Sequence, residues 1–158
     1  MRSYQIFAAM PPDRAAAFMS GLSENAPQMY KQALLAASAA MNARPAYLLK
    51  QPFEKQVGAV RRALSRVAAN GVAEEILAVY FLECRKELLA EWLDLLGIEH
   101  EDGILEENSP VAPARAELQK ARDAFCGVDD DADRTLLLNA FAAQSAIDWP
   151  DLEAILHE

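Results

Sequence analysis

Apolar residues recur along this chain at the period of an α-helix, most regularly between positions 72 and 96. There Leu77, Phe81, Cys84, Leu88, Trp92 and Leu95 follow one another at spacings of four, three, four, four and three, and Ile76, Tyr80, Leu89, Leu93 and Leu96 form a second stripe beside them. Residues three and four apart share a helix face, so the segment reads as one long helix with two apolar sides. A helix of that kind has neighbours on more than one side. The pattern therefore predicts a continuous central helix over 72–96, closed by Gly97.

Elsewhere the punctuation comes from Pro, Gly and Asn. It predicts helices over 3–10, from Asp13 to about position 22, over 26–43, over 46–50 and over 52–69, with Asn70 and Gly71 stopping the last of these in a tight hairpin turn. After the central helix, residues 98–112 have no period and many breakers, and read as a long acidic loop. Helices over 113–125, from the aspartates at 129–133 to about 146, and from Asp148 to the end complete the series. The expected fold is all-α: one single-domain bundle, residues 1–158, of about six or seven helices. Shifting the sequence by 61 lays Arg61, Ile76, Leu77 and Tyr80 over Arg122, Leu137, Leu138 and Phe141. Two related helical hairpins would produce such a match, and so would chance alignment of Ala- and Leu-rich helices.

Composition sharpens the class. Ala occurs 31 times and Leu 20 times among the 158 residues, whereas Val, Ile and Thr together occur 14 times, which disfavours an extended sheet. The net charge of −9 argues against nucleic acid as a partner. No apolar run reaches the roughly 20 residues of a membrane span, and the first ten residues do not resemble a secretory signal. A cytoplasmic protein that does not engage a membrane is expected. Cys84 and Cys126 lie far apart in apolar, helical stretches and read as free thiols rather than a disulfide framework.

The charge is unevenly placed. Positions 44–73 carry six bases against one acid, and positions 74–107 carry eleven acids against two bases. Glu83, Glu87 and Glu91 stack carboxylates on one helix face, where like charges repel unless something compensates them. If Asn70 and Gly71 make a tight hairpin, the basic helix before them supplies the compensation, with Arg66 opposite Glu74 and Glu75. Otherwise Arg61, Arg62 and Arg66 form a strip able to bind an acidic partner, including another copy of this chain.

Catalytic signatures are missing. There is no Gly-x-Gly phosphate loop, no nucleophile elbow, no paired Cys-x-x-Cys and no Glu-x-x-His di-iron motif. No catalytic residue and no cofactor is expected. Asp129, Asp131 and Asp133 begin like a calcium-binding loop, but Arg134 stands where that loop needs Gly and Ala140 where it needs a bidentate Glu. The aspartates read instead as the acidic start of a helix. Glu99, His100 and Asp102 are weak candidates for a metal site. The front of the chain is rich in Tyr, Phe and Met from Tyr4 to Tyr30, a set that serves either as core or as an adaptable binding surface. The expected function is a protein-interaction or regulatory module acting on a protein partner or on itself, not an enzyme. The alternative is a helical bundle, an enzyme among the options, that takes a small ligand or metal at the 98–112 loop.

Overall fold

Proline sets where several helices begin. Pro12, Pro27, Pro45 and Pro150 each stand at the start of a helix, where a missing N–H costs nothing and φ is already helical. The computed structural model describes residues 1–106 and 110–158 and is all-α, as the composition predicts. Six helices, α1 (Ser3–Ala9), α2 (Pro12–Asn25), α3 (Pro27–Ala40), α4 (Pro45–Leu49), α5 (Phe53–Leu64) and α6 (Asn70–Val79), lie in one compact unit, Arg2–Cys84. The other unit, Arg85–Glu158 together with Met1, holds α7 (Lys86–Leu95), α8 (Arg115–Cys126), α9 (Ala132–Ala143) and α10 (Pro150–Leu156). It also holds one antiparallel hairpin, β1 (His100–Glu101) with β2 (Ile104–Leu105). Among the described residues there are ten α-helices rather than six or seven, and the division the sequence does not predict falls inside the expected helix over 72–96. Among the described residues no helix is long and apolar enough to cross a membrane.

The predicted central helix is two helices. After α6 the backbone widens into a π-helical turn, Tyr80–Cys84, and Arg85 leaves helical geometry altogether with φ −137° and ψ 44°. The two stripes are thus divided: Leu77 and Phe81 are buried in the Arg2–Cys84 unit, and Leu88 and Trp92 in the Arg85–Glu158 unit. The wide turn buries two consecutive rings. Tyr80 stacks on Phe18 at 4.1 Å between centroids, while Phe81 meets Tyr80 edge-on at 5.1 Å.

The expected hairpin turn at Asn70 and Gly71 is also absent. The backbone of Asn70 is right-handed helical, φ −56° and ψ −41°, and both residues lie in the first turn of α6. The Asn70 side chain instead accepts a hydrogen bond from the backbone N–H of Tyr4, at 3.1 Å, supplying a partner for one of the free donors at the start of α1. Helix α5 ends at Leu64, and a short 3₁₀ turn over Val67–Ala69 connects it to α6.

The close at Gly97 follows the sequence, whereas the helices expected from Asp13 to about 22 and over 26–43 run Pro12–Asn25 and Pro27–Ala40. Ile98 and Gly97 donate to the carbonyls of Leu93 and Asp94, with Gly97 at φ +69°, a Schellman closure of α7 at the expected glycine. Asn42, at φ +52°, closes α3 in the same way, its N–H reaching Ala39 and that of Ala43 reaching Ser38. Asp131 caps α9 by accepting from the N–H of Asp133 at 3.0 Å. The expected cap of the last helix moves by one: Trp149, not Asp148, occupies that position, and its indole N–H donates to the Pro110 carbonyl.

Candidate functional site

The acidic clusters find their counter-ions within the Arg85–Glu158 unit. Arg85, freed from helical geometry, donates to both carboxylate oxygens of Asp131 (2.6 Å to the nearer), to Asp133 at 2.7 Å and to Glu87 at 2.8 Å. Arg134, whose side chain is 8% exposed, donates to Glu91 at 2.9 Å, to Asp129 at 3.0 Å and to the Phe125 carbonyl at 3.2 Å. Its guanidinium also lies 4.9 Å from the centre of the Phe125 ring. Arg134 thus occupies the position at which the calcium-loop pattern failed, and it fills that space with a permanent cation.

The electrostatics follow from these bonds. The Arg85 guanidinium holds the Asp131 carboxyl below the usual carboxylate range, against a smaller opposing effect of burial. Asp129 is lowered first by the Asp131 backbone N–H and then by Arg134. Two members of the Glu83, Glu87 and Glu91 ladder are paired here, Glu87 with Arg85 and Glu91 with Arg134. The compensation predicted from the basic helix fails at its premise, because Asn70 and Gly71 make no tight turn.

The loop over 98–112 has structure in its first half. Asp102 and Gly103, both at positive φ, form the two-residue turn of the hairpin, as the mirror-image turn between twisted strands requires. His100 is built into that turn. Its Nδ1 accepts from the Gly103 N–H at 3.1 Å, so Nε2 carries the proton and donates to Asp94 at 2.7 Å. Both ring nitrogens are engaged, while Glu99, Glu101 and Asp102 point into solvent. Among the described residues no group of three His, Cys, Asp or Glu side chains is placed to hold a metal ion. The latter part of the predicted loop includes 107–109, which lie outside the described residues. The space beside Trp92 is filled by rings, with Phe125 at 5.5 Å and Phe141 at 6.1 Å.

The aromatic and Met residues at the front of the chain are mostly core. Phe7, Met10, Phe18, Met19, Met29 and Tyr30 are all buried. Cys84 and Cys126 are half-buried thiols not joined in a disulfide, and burial pushes the Cys126 thiol up.

The three candidate arginines separate. Arg61 is half-buried and donates to the carbonyls of Met10 (2.7 Å) and Ala8 (3.3 Å), occupying acceptors that the end of α1 leaves open. Arg62 is exposed and donates to Gly58 one turn back, and Arg66 is exposed beyond the end of α5. The stretch before them carries a feature the apolar pattern does not single out. Helix α4 has five residues and buries only Leu48, leaving Tyr47 (54%) and Leu49 (55%) exposed, with Phe53 (41%) at the start of α5. Arg44, Lys50 and Lys55 are exposed among them.

That stretch is held rigidly. The Gln56 amide donates to the carbonyls of Leu48, Leu49 and Gln51 at 3.2 to 3.3 Å, and its oxygen accepts from the Tyr30 hydroxyl at 2.6 Å. The Phe53 ring lies 6.2 Å from that of Tyr30. The fixed turn can therefore present apolar and basic side chains together at little ordering cost. Comparison with protein-family models, with curated proteins and with solved structures finds no match to this chain.

Proposed function

We propose that this chain is a protein-interaction module, without a catalytic site of its own, whose contact surface runs from Arg44 along α4 and the outer side of α5 to Arg66. The observation that carries the reading is the exposure of Tyr47, Leu49 and Phe53 within one clamped turn, interleaved with Arg44, Lys50 and Lys55. Single exposed apolar residues are ordinary, but three large ones on one held stretch, among three exposed bases and a single exposed acid, Glu54, are the make-up of a protein contact. The basic edge favours a partner with acidic groups around an apolar centre, and its charges would speed encounter and set orientation. Two cysteines held as thiols accord with a reducing, cytoplasmic setting.

The test is capture by the immobilised full chain from an extract of its source cells, with and without nuclease. Reversal at Lys50, Arg62 and Arg66 to Glu is expected to abolish nuclease-resistant capture, whereas Lys120→Glu in the other unit leaves it intact. Capture that survives the triple reversal contradicts the reading. Capture that nuclease removes assigns the basic strip to nucleic acid and also contradicts it. Arg61 is left unchanged because its guanidinium holds the end of α1.

A further inference from the structure

The two units carry opposite charge. Arg2–Cys84 has nine bases against six acids, a net of +3, and Arg85–Glu158 has six bases against eighteen acids, a net of −12. In the basic unit the charge gathers around the exposed ring and alkyl groups of Tyr47, Leu49 and Phe53. In the acidic unit the hairpin has the converse make-up: Ile104 is 64% exposed, and Glu99, Glu101, Asp102 and Glu106 around it are exposed as well. His100 locks the turn that carries them, through the Gly103 N–H on one ring nitrogen and Asp94 on the other. Each surface carries exposed apolar groups on a held turn, the first with three exposed bases and one acid (Glu54) and the second with four exposed acids, so the balance of charge is opposite.

Resting on the contact-surface reading above, we propose that the occupant of the α4–α5 face is the β1–β2 hairpin of a second copy of this chain. Ile104 packs against Tyr47, Leu49 and Phe53, and Glu101 and Glu106 meet Lys50 and Lys55. The two patches are different surfaces, so the contact is heterologous, and a pair joined by one contact keeps one free face and one free hairpin. Association therefore grows with concentration, and closes wherever the last free hairpin meets the first free face. Salt weakens it, because the Debye length falls from about 10 Å at about 0.1 M to about 4 Å at about 0.5 M.

Sedimentation velocity on the full chain tests this. Wild type is expected to sediment faster as concentration rises at low salt and to return to monomer at high salt. A face variant (Tyr47→Ser, Lys50→Glu, Lys55→Glu) and a hairpin variant (Glu101→Lys, Ile104→Ser, Glu106→Lys) change only exposed residues. Each alone should associate at least about tenfold more weakly than wild type. Their equimolar mixture is expected to recover a dimer and nothing larger, because the intact hairpin of the first fits the intact face of the second. The proposal is overturned if wild type stays monomeric at low salt, if either variant associates as wild type does, or if the mixture stays monomeric. A monomeric wild type whose face still captures a partner from extract removes the second copy as occupant and leaves the contact surface standing.

Discussion

Arg134 shows how one residue settles the chemistry of its surroundings. Its side chain is nearly buried, yet its acidic partners Glu91 and Asp129 are 37% and 51% exposed. Removing one partner of a fully buried pair costs about 3–5 kcal/mol. Here the orphaned carboxylates can return to water, so Arg134→Met should cost less, about 2–3 kcal/mol, mostly from the lost charge-assisted bonds and the Phe125 contact. Urea unfolding of the variant would measure this, and a midpoint equal to wild type would contradict it. Arg85 acts through pH. Because its guanidinium depresses Asp131, the ionised carboxylate is favoured in the folded state, and the unfolded state binds more protons at low pH. That stabilisation is complete above the ordinary Asp pKa of about 3.9 and is lost as pH falls through the lower folded-state value. Urea midpoints measured downward from about pH 5 should therefore fall more steeply for wild type than for Arg85→Gln; parallel profiles would count against the network. The carboxylates were visible in the sequence as a repelling ladder and an acidic helix start. The long-range bonds to their cations were not, because Arg134 stands 43 positions from Glu91 and Arg85 stands 46 from Asp131.

At the scale of elements, local chemistry was legible and tertiary override was not. Gly97 and the prolines act as the sequence predicts, since their conformational limits are their own. The Asp102–Gly103 pair was an equally local signal for a hairpin turn, obscured by the acidic residues around it. Nothing between Tyr80 and Arg85 marks a break, for that run contains neither Pro nor Gly. The helix yields there to burial of Tyr80 and Phe81 and to the bonds of Arg85 with Asp131 and Asp133, which no periodicity encodes. Glycines give this scale its sharpest test. A Cβ at Gly58 meets nothing within 4 Å, and α5 places that residue mid-helix, so Gly58→Ala should stabilise by about 0.5–1 kcal/mol. A Cβ at Gly127 would lie 2.8 Å from the Asp123 carbonyl oxygen at the end of α8, and Gly127→Ala should destabilise. Thermal midpoints that move in the same direction for both would show that the helix ends are misplaced.

For the whole molecule, the −9 of the composition resolves into units of +3 and −12. The sequence showed the segregation of charge and named the basic strip, but it centred that strip on Arg61, Arg62 and Arg66. Folding assigns Arg61 to the end of α1 and brings forward the α4–α5 turn, where a helix of five residues buries one leucine and leaves its neighbours outside. Those neighbours were indistinguishable from core in the sequence, because Tyr47, Leu48 and Leu49 are consecutive apolar residues. The central claim is that this turn receives the hairpin of a second copy, and hydrogen–deuterium exchange read by mass spectrometry tests it most directly. Exchange is compared at low salt between dilute and concentrated protein. The account predicts slower exchange at high concentration in the peptides covering 44–56 and 99–106, with α8 and α10 unchanged. Equal exchange in both stretches, or protection confined to other surfaces, would contradict it.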